Sequence, residues 1–443
     1  MSPIPAYVQP TLRRAGGFAL IGTLAVTAPV LGQAAFAPFA AVGITAAFLI
    51  TDGPIFELFA RPGDRQDGRL NGLAGFALAA AGLAILSTEL GLPVALFVAS
   101  VLILAYGNLG KRLIAETSDE PFVGTAGFVV AGTLAGVGGQ FATATVIGVQ
   151  PVITRYVFLA TAGALVAALL REMLFERDDP LVMLTSGLLL WLFSYLGSDV
   201  GAIELGAALA VTAALGFVSY ALGTASVAGM LSGVLLSLLV IVLGGFGWFA
   251  VVISFFSIGA LSTKYRYDEK KQRGIAEENE GARGTGNVLG NAAVALICVI
   301  CFAASESIVI PGDPIIFKYA FAGSIAAALS DTLSSELGGL YDNPRLITTL
   351  TPVPPGTDGG VTWQGELFGI LGGLIIGIVS FGLFPSVDAT GSIAIGIAGF
   401  LGMTADSILG ATVEGDRIGN ETVNLAATFI GAVLSVGSAI VVL

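Results

Sequence analysis

The chain has 443 residues, 55% of them apolar and only 11% charged, with a mean hydropathy of +0.90. A soluble domain carries about 25% charged residues, so a soluble globular protein is excluded and an all-α, polytopic integral membrane protein is expected. The net charge of −12, the absence of histidine and the five lysines leave no basic stripe for nucleic acid and describe a halophile-like acidic surface.

Each crossing needs about 20 apolar residues, which leaves room for about fifteen spans. In chain order they are expected at 15–31, 34–50, 70–87, 92–110, 122–140, 153–170, 181–197, 200–222, 226–243, 246–262, 287–304, 315–337, 365–385, 390–411 and 422–442. Arg13 and Arg14 precede the first as in a signal sequence. The apolar pattern continues, so that span reads as a retained anchor. The 61 glycines suit close helix packing in lipid.

Alternating the spans puts Arg13, Arg14, Arg61, Arg65, Arg69, Lys111, Arg112, Arg171, Arg177, the basic cluster at 264–283, Arg345 and Arg417 on one side. Arg155 and Lys318 fall near the other. The positive-inside rule then makes the N-terminus cytoplasmic in a multi-pass protein of the cell membrane. Residues 1–180, about six spans with little motif content, read as an accessory bundle. Residues 181–443 carry nearly every unusual polar residue, with cytoplasmic loops at 263–286, 338–364 and 412–421. Cys298 and Cys301 stand in the run ALICVICFAA, without a further Cys or His to complete a metal site, and read as packing.

The segment at 329–365 is the most informative, because a carboxylate inside a membrane helix costs roughly 2.5–3.5 kcal/mol. Asp331, Glu336 and Asp406 are the candidate catalytic carboxylates, and Asp331 and Asp406 the candidate Mg²⁺ ligands, since hard cations take oxygen ligands and Mg²⁺ shares them with substrate phosphates. Caps or interhelical hydrogen bonds are the alternative. Glu336 lies about 140° from Asp331 on an ideal helix, so it joins the same ion only if Gly338 and Gly339 unwind the end.

The loop TTLTPVPPGTDGGVT at 348–362 follows, with Gly356, Thr357, Asp358, Gly359 and Gly360. Its glycines let backbone N–H groups approach phosphate oxygens; an ordinary turn cluster is the alternative. A P-loop is excluded, and the run from Gly284 to Gly290 misses the dinucleotide-binding spacing. That run still opens a span, where a helix start takes anions. Asn287 and Asn291 stand there on one helix face, and Asn420 and Asn424 repeat the spacing later. The basic cluster, with Lys271 and Arg283, holds phosphates or anchors the chain to head groups. Glu414 and Asp416 extend the polar surface beside Asp406. Without histidine, proton transfer falls to a carboxylate, Lys or Tyr, which phosphoryl transfer tolerates because it rests on positioning and charge neutralisation.

Lys271-x2-Gly274-Ile275-x-Glu277 through GARGTGNVLGN, then SDTLSSELG, PRLITTLTPVPPGTDGGVTWQG, ADSILGATVE and NETVNLAA form one ordered series of blocks. Over roughly residues 181–443 the chain thereby resembles the integral membrane family catalogued as domain of unknown function 92, which includes the phytyl-phosphate kinase of vitamin E synthesis. The resemblance carries Asp331, Glu336, Thr348, Thr349, Gly356, Thr357, Gly359, Gly360, Asp406 and Asn424 into the site. Asp358 departs from it, where relatives often carry Asn. It implies a kinase that converts a prenyl monophosphate to its diphosphate with CTP or another nucleoside triphosphate. The expected partners are a prenyl-phosphate lipid, the nucleotide and membrane lipids, with Mg²⁺ as cofactor. A membrane transporter or lipid flippase, and a CTP-dependent cytidylyltransferase of lipid synthesis, are the alternatives.

Overall fold

The computed structural model describes residues 10–174, 178–196, 200–276, 284–306, 313–414 and 418–442. Among the described residues the fold is all-α apart from one two-stranded antiparallel pairing, because a backbone in lipid must satisfy its own hydrogen bonds. The chain packs as two units, Met1–Gly206 and Ala207–Leu443. The division follows packing, whereas the expected division at 180 followed motif content.

The first unit contains α1 (Pro10–Thr23), α2 (Ala37–Phe48), α3 (Gly53–Phe59), α4 (Asn71–Glu89), α5 (Val94–Ala115), α6 (Pro121–Ile147), α7 (Ile153–Met173) and α8 (Asp179–Tyr195). Its core is mainly apolar, with Leu70, Leu83, Phe97 and Ala160 fully enclosed, and it also buries Ser100, Gln140 and Asp179. Small residues bring α5 and α6 together: Gly110 sits against the backbone of Gly127, with no room for a Cβ.

The second unit holds most of α9 (Ala202–Ala221), then α10 (Val227–Gly244), α11 (Phe246–Lys264), α12 (Tyr267–Arg273), α13 (Thr285–Glu306) and α14 (Pro314–Gly338). A loop with strands β1 (Arg345–Leu346) and β2 (Gly360–Val361) leads to α15 (Trp363–Leu383), α16 (Ala389–Thr412) and α17 (Asn420–Val442). α14 is the hub, packed against α11, α13, α15, α16 and α17. Its stretch from Phe321 to Ser330 is wholly buried. Gly372 and Gly399 admit α15 and α16 to its backbone, where an added Cβ would meet Leu329 and Ala326 at 2.9 Å or less.

Every expected span coincides with a helix, but among the described residues twelve helices are long and apolar enough to cross a membrane, or thirteen if α2 and α3, bent by 104°, make one crossing. Two of the fifteen expected segments fall short. α8 has only 17 residues. α14 carries Ser, Asp, Thr and Glu in a sheath of helices, where protein rather than lipid is its solvent. Cys298 is buried and Cys301 half-buried, both as free thiols.

Candidate functional site

A cavity of about 600 Å³ opens in the second unit where the end of α14 meets the later turns of α16 and the first turns of α13 and α17. α14 contributes Asp331, Thr332, Ser334, Ser335 and Glu336; α16 contributes Asp406, Ser407 and Gly410. Asn287 and Asn291 come from α13, and Asn420 and Asn424 from α17. The four-residue asparagine spacings are the device here, since each pair turns one face to the cavity.

The loop after α14 covers the opposite wall. Its strands pair Arg345 with Val361 and Leu346 with Gly360, and Ile347 N–H donates to Gly359 O at 3.0 Å. Gly359 has φ +70° and rests directly on α16. A Cβ there would stand 2.5 Å from both Ser407 O and Ala411 Cβ, so only glycine lets the loop approach this closely. Gly356, at φ +80°, meets the side chain of Ile275. Thr362 closes the loop: its hydroxyl accepts from Gly365 N–H and donates to Gly338 O, each at 3.1 Å. One side chain thus caps α15 and ties it to the end of α14.

The carboxyl groups of Asp331 and Asp406 lie in hydrogen-bonding contact. Asp406 Oδ2 is buried with no hydrogen-bond partner, and so is Asn287 Oδ1. Among the described residues, Asp331, Glu336, Asp358, Asp406 and Glu414 line the cavity and no Lys or Arg does. Burial, then the neighbouring carboxylates of Asp358 and Glu421, hold Glu414 above the usual carboxylate range. Two carboxyl groups in contact, one with an orphaned oxygen, fit a divalent cation that takes its remaining oxygens from water or phosphate. Among the described residues no three Cys, Asp or Glu are grouped to hold an ion by themselves.

Glu336 has a different environment from its expected partners. Lys270 Nζ lies 2.5 Å from Oε2 and Thr263 Oγ1 donates to Oε1 at 2.6 Å. Lys270 also donates to Ser262 O at 2.6 Å and Thr263 O at 3.2 Å. The expected catalytic carboxylate is therefore engaged in a buried strut between α11, α12 and α14, which follows from its angular offset from Asp331. The strut's lysine is the neighbour of the one expected: Lys271 is exposed and does not line the cavity. Adjacent lysines give no signal of which turns inward. That depends on α12 starting after Arg266, whose φ is +52°.

Gly356, Thr357, Asp358, Gly359, Gly360, Asn287, Asn291 and Asn424 all line the cavity. Thr348 and Thr349 do not: they are exposed at the loop tip, where the Thr349 and Thr351 hydroxyls share a 2.8 Å hydrogen bond. Arg283 and Asp416 lie outside the described residues. Sequence reasoning missed Thr332, Ser334, Ser407, Gly410 and Thr362; only Thr362 carried a signal, as a cap three residues before Gly365.

The family model of the integral membrane protein DUF92 matches residues 210–432. An uncharacterized membrane protein of Synechocystis sp. is 35% identical over 203 residues, 45% of this chain and 77% of the relative. One from Methanocaldococcus jannaschii is 36% identical over 214 residues, 47% of this chain and 83% of the relative. The chloroplastic protein VTE6 of Arabidopsis thaliana is 28% identical over 197 residues, 43% of this chain and 58% of the relative. No solved structure matches the chain.

Proposed function

We propose that this chain, which belongs to the integral membrane family DUF92, is a membrane prenyl-phosphate kinase. It moves the γ-phosphoryl group of CTP or another nucleoside triphosphate to a prenyl monophosphate of phytyl or geranylgeranyl type. The observation that carries this reading is the contact of Asp331 with Asp406, with Gly356–Gly360 lining the same acidic cavity. A wall of carboxylates repels a bare triphosphate, so the nucleotide enters as its cation complex. Asp331 and Asp406 would hold Mg²⁺, which supplies neutralisation of the phosphate charge.

The chain's own groups do the rest. Backbone N–H groups of Gly356, Asp358 and Gly359 bind phosphate oxygens, those of Thr357 and Gly360 being donated within the loop to Pro354 O and Thr357 O, and the amides of Asn287, Asn291 and Asn424 orient them. An oxygen of the prenyl phosphate attacks the γ-phosphorus; that P–O bond forms as the bridge to the β-phosphate breaks, and the nucleoside diphosphate leaves with the electron pair. A phosphate monoester has a second pKa of about 6, so the acceptor arrives deprotonated and needs no general base. This suits a chain without histidine.

In the same reading the cavity faces the cytoplasm, the source of nucleotide, and the N-terminus is cytoplasmic in the cell membrane. α8 and α14 cross as protein-packed helices, for about fifteen crossings at roughly 20 residues each. The unit before Ala207 is accessory.

The test is purified protein in detergent at high salt with Mg²⁺, labelled CTP and phytyl or geranylgeranyl monophosphate. Prenyl diphosphate plus CDP, lost in Asp331→Asn and Asp406→Asn, supports the kinase. A CMP-lipid with released pyrophosphate replaces it with a cytidylyltransferase. No turnover with any donor, from folded protein, replaces it with a transporter or lipid flippase.

A further inference from the structure

The geometry points to an exit for the acceptor's prenyl chain between Tyr341 and Phe368, where the cavity of the second unit opens onto the lipid-facing side of α15. This rests on the reading of that cavity as a prenyl-phosphate site, and it names the two rings as the residues that select the chain.

The cavity is unevenly lined. Among the described residues, α13, α16 and α17 line it with Asn, Asp, Ser and Gly410 alone. Its apolar side chains, Ile275, Ala276, Tyr341, Pro344, Pro355 and Val361, come from the segment after α12 and the loop between α14 and α15. Ile275 ties these segments together. A Cβ added at Gly339 would meet its Cδ1 at 2.9 Å, and one added at Gly356 would meet its Cγ2 at 3.1 Å. Gly339 stands two residues before Tyr341 and Gly356 follows Pro355, so the end of α14 and the loop share one apolar corner.

Tyr341 is 40% exposed although it lines the cavity, so it stands at the mouth. Its backbone N–H donates to Gly338 O at 3.0 Å, which keeps it against the last turn of α14. Its ring lies 6.4 Å from that of Phe368, tilted by 35°. Phe368 is in the second turn of α15, a helix long and apolar enough to cross a membrane. Beside it Leu367, Leu371, Leu374 and Ile378 are exposed and recur at helical spacing, so this side of α15 faces lipid. Trp363, exposed at the start of α15, marks the water–lipid boundary, where amphipathic rings settle. Trp363 does not line the cavity, whereas Tyr341 does. An aromatic that only anchors the chain needs no place in the cavity wall.

A prenyl monophosphate has one charged end and a hydrocarbon body. Its phosphate belongs among the polar groups of the cavity. Its chain gains about 25 cal/mol for each Å² kept out of water. A chain leaving past α13, α16 or α17 would lie on asparagines and carboxylates. One leaving over Tyr341 and Phe368 reaches lipid directly and continues along α15. A nucleobase is the competing occupant of an apolar corner, but it needs polar partners placed around its edge. The corner's side chains offer only the Tyr341 hydroxyl and lead to lipid, which favours the chain.

Steady-state kinetics and photolabelling of the full chain test the exit. Tyr341→Ala and Phe368→Ala are expected to raise KM for geranylgeranyl monophosphate at least about tenfold and to leave KM for CTP within about twofold. Both should also narrow the preference for geranylgeranyl over dimethylallyl monophosphate. Tyr341→Phe keeps the ring and should behave as the wild type. A rise in KM for CTP as large as that for the lipid gives the corner to the nucleobase and overturns the proposal, as do unchanged constants in both alanine variants. A geranylgeranyl monophosphate carrying a diazirine on its chain, photolysed on the wild-type protein, needs neither turnover nor a variant. Labelling within 338–345 and 363–378, suppressed by excess geranylgeranyl monophosphate, is expected. Suppressible labelling confined to other segments, or none at all, overturns the proposal. Suppressible labelling at the expected segments without turnover keeps the lipid route and removes the kinase. Turnover with labelling elsewhere keeps the kinase and removes the route.

Discussion

The ammonium group of Lys270 lies 2.5 Å from a carboxylate oxygen of Glu336, with the two side chains only 1% and 8% exposed. The pair joins the short, charged α12 to the end of the hub helix α14, at the edge of the cavity rather than across it. Two charges taken out of water hold together only when both are paired and hydrogen-bonded. Thr263 Oγ1 and the carbonyls of Ser262 and Thr263 complete that shell.

Removing one member strands the other. Lys270→Met is expected to destabilise the protein by about 3–5 kcal/mol, and the double variant K270M/E336L to recover most of that loss. Thermal unfolding of the purified proteins in one detergent checks this. Equal destabilisation in single and double variants would show that the pair is not coupled.

Asp331→Asn and Asp406→Asn are expected to lower kcat/KM by about 10²–10³-fold, the usual scale for a lost charge-stabilising group, while the protein stays folded. Divalent cations should raise the melting temperature of the wild type by linkage and leave that of either variant unchanged. A cation-induced shift that persists in both variants would place the ion elsewhere.

Gly359→Ala places a methyl group on Ser407 O and Ala411 while holding a positive φ, so the loop must lift from α16. A KM for nucleotide raised at least about tenfold is expected, from a strain of 1–3 kcal/mol and a backbone clash. Gly356→Ala meets the Ile275 side chain at 3.1 Å and Gly274 O only at 3.8 Å, and should act more weakly. The reverse order would mean that the loop does not dock through Gly359.

Thr348→Ala and Thr349→Ala, at the exposed loop tip, are expected to change kcat/KM by less than about twofold, as surface substitutions do. Steady-state kinetics decides. A loss as large as that at Asp331 would bring the tip into the site.

Glu414 gives a pH signature. Its folded pKa is raised by burial, Asp358 and Glu421, so in that window the native state binds more protons than the unfolded one. Linkage then makes stability fall as pH rises from about 4.3, the unfolded glutamate value, through the folded value. Glu414→Gln should flatten this part of the melting-temperature profile of metal-free protein. A profile unchanged by the substitution would remove Glu414 as its source.

The amino-acid sequence by itself determined where the helices run, because an apolar stretch of about 20 residues in lipid has few other ways to satisfy its backbone. It also picked out Asp331, Asp406 and the glycines of the 356–360 loop, because carboxylates and turn residues stand out against apolar surroundings. Tertiary structure decided which of them meet. Lys270 turns inward and Lys271 outward, Glu336 is taken up by an ion pair, and the 348–349 threonines are carried away from the cavity. It also made α14 the hub, and set Tyr341 of the loop against Phe368 of α15. Periodicity records which face of a helix a residue occupies; which helix that face meets depends on packing between segments far apart in the chain.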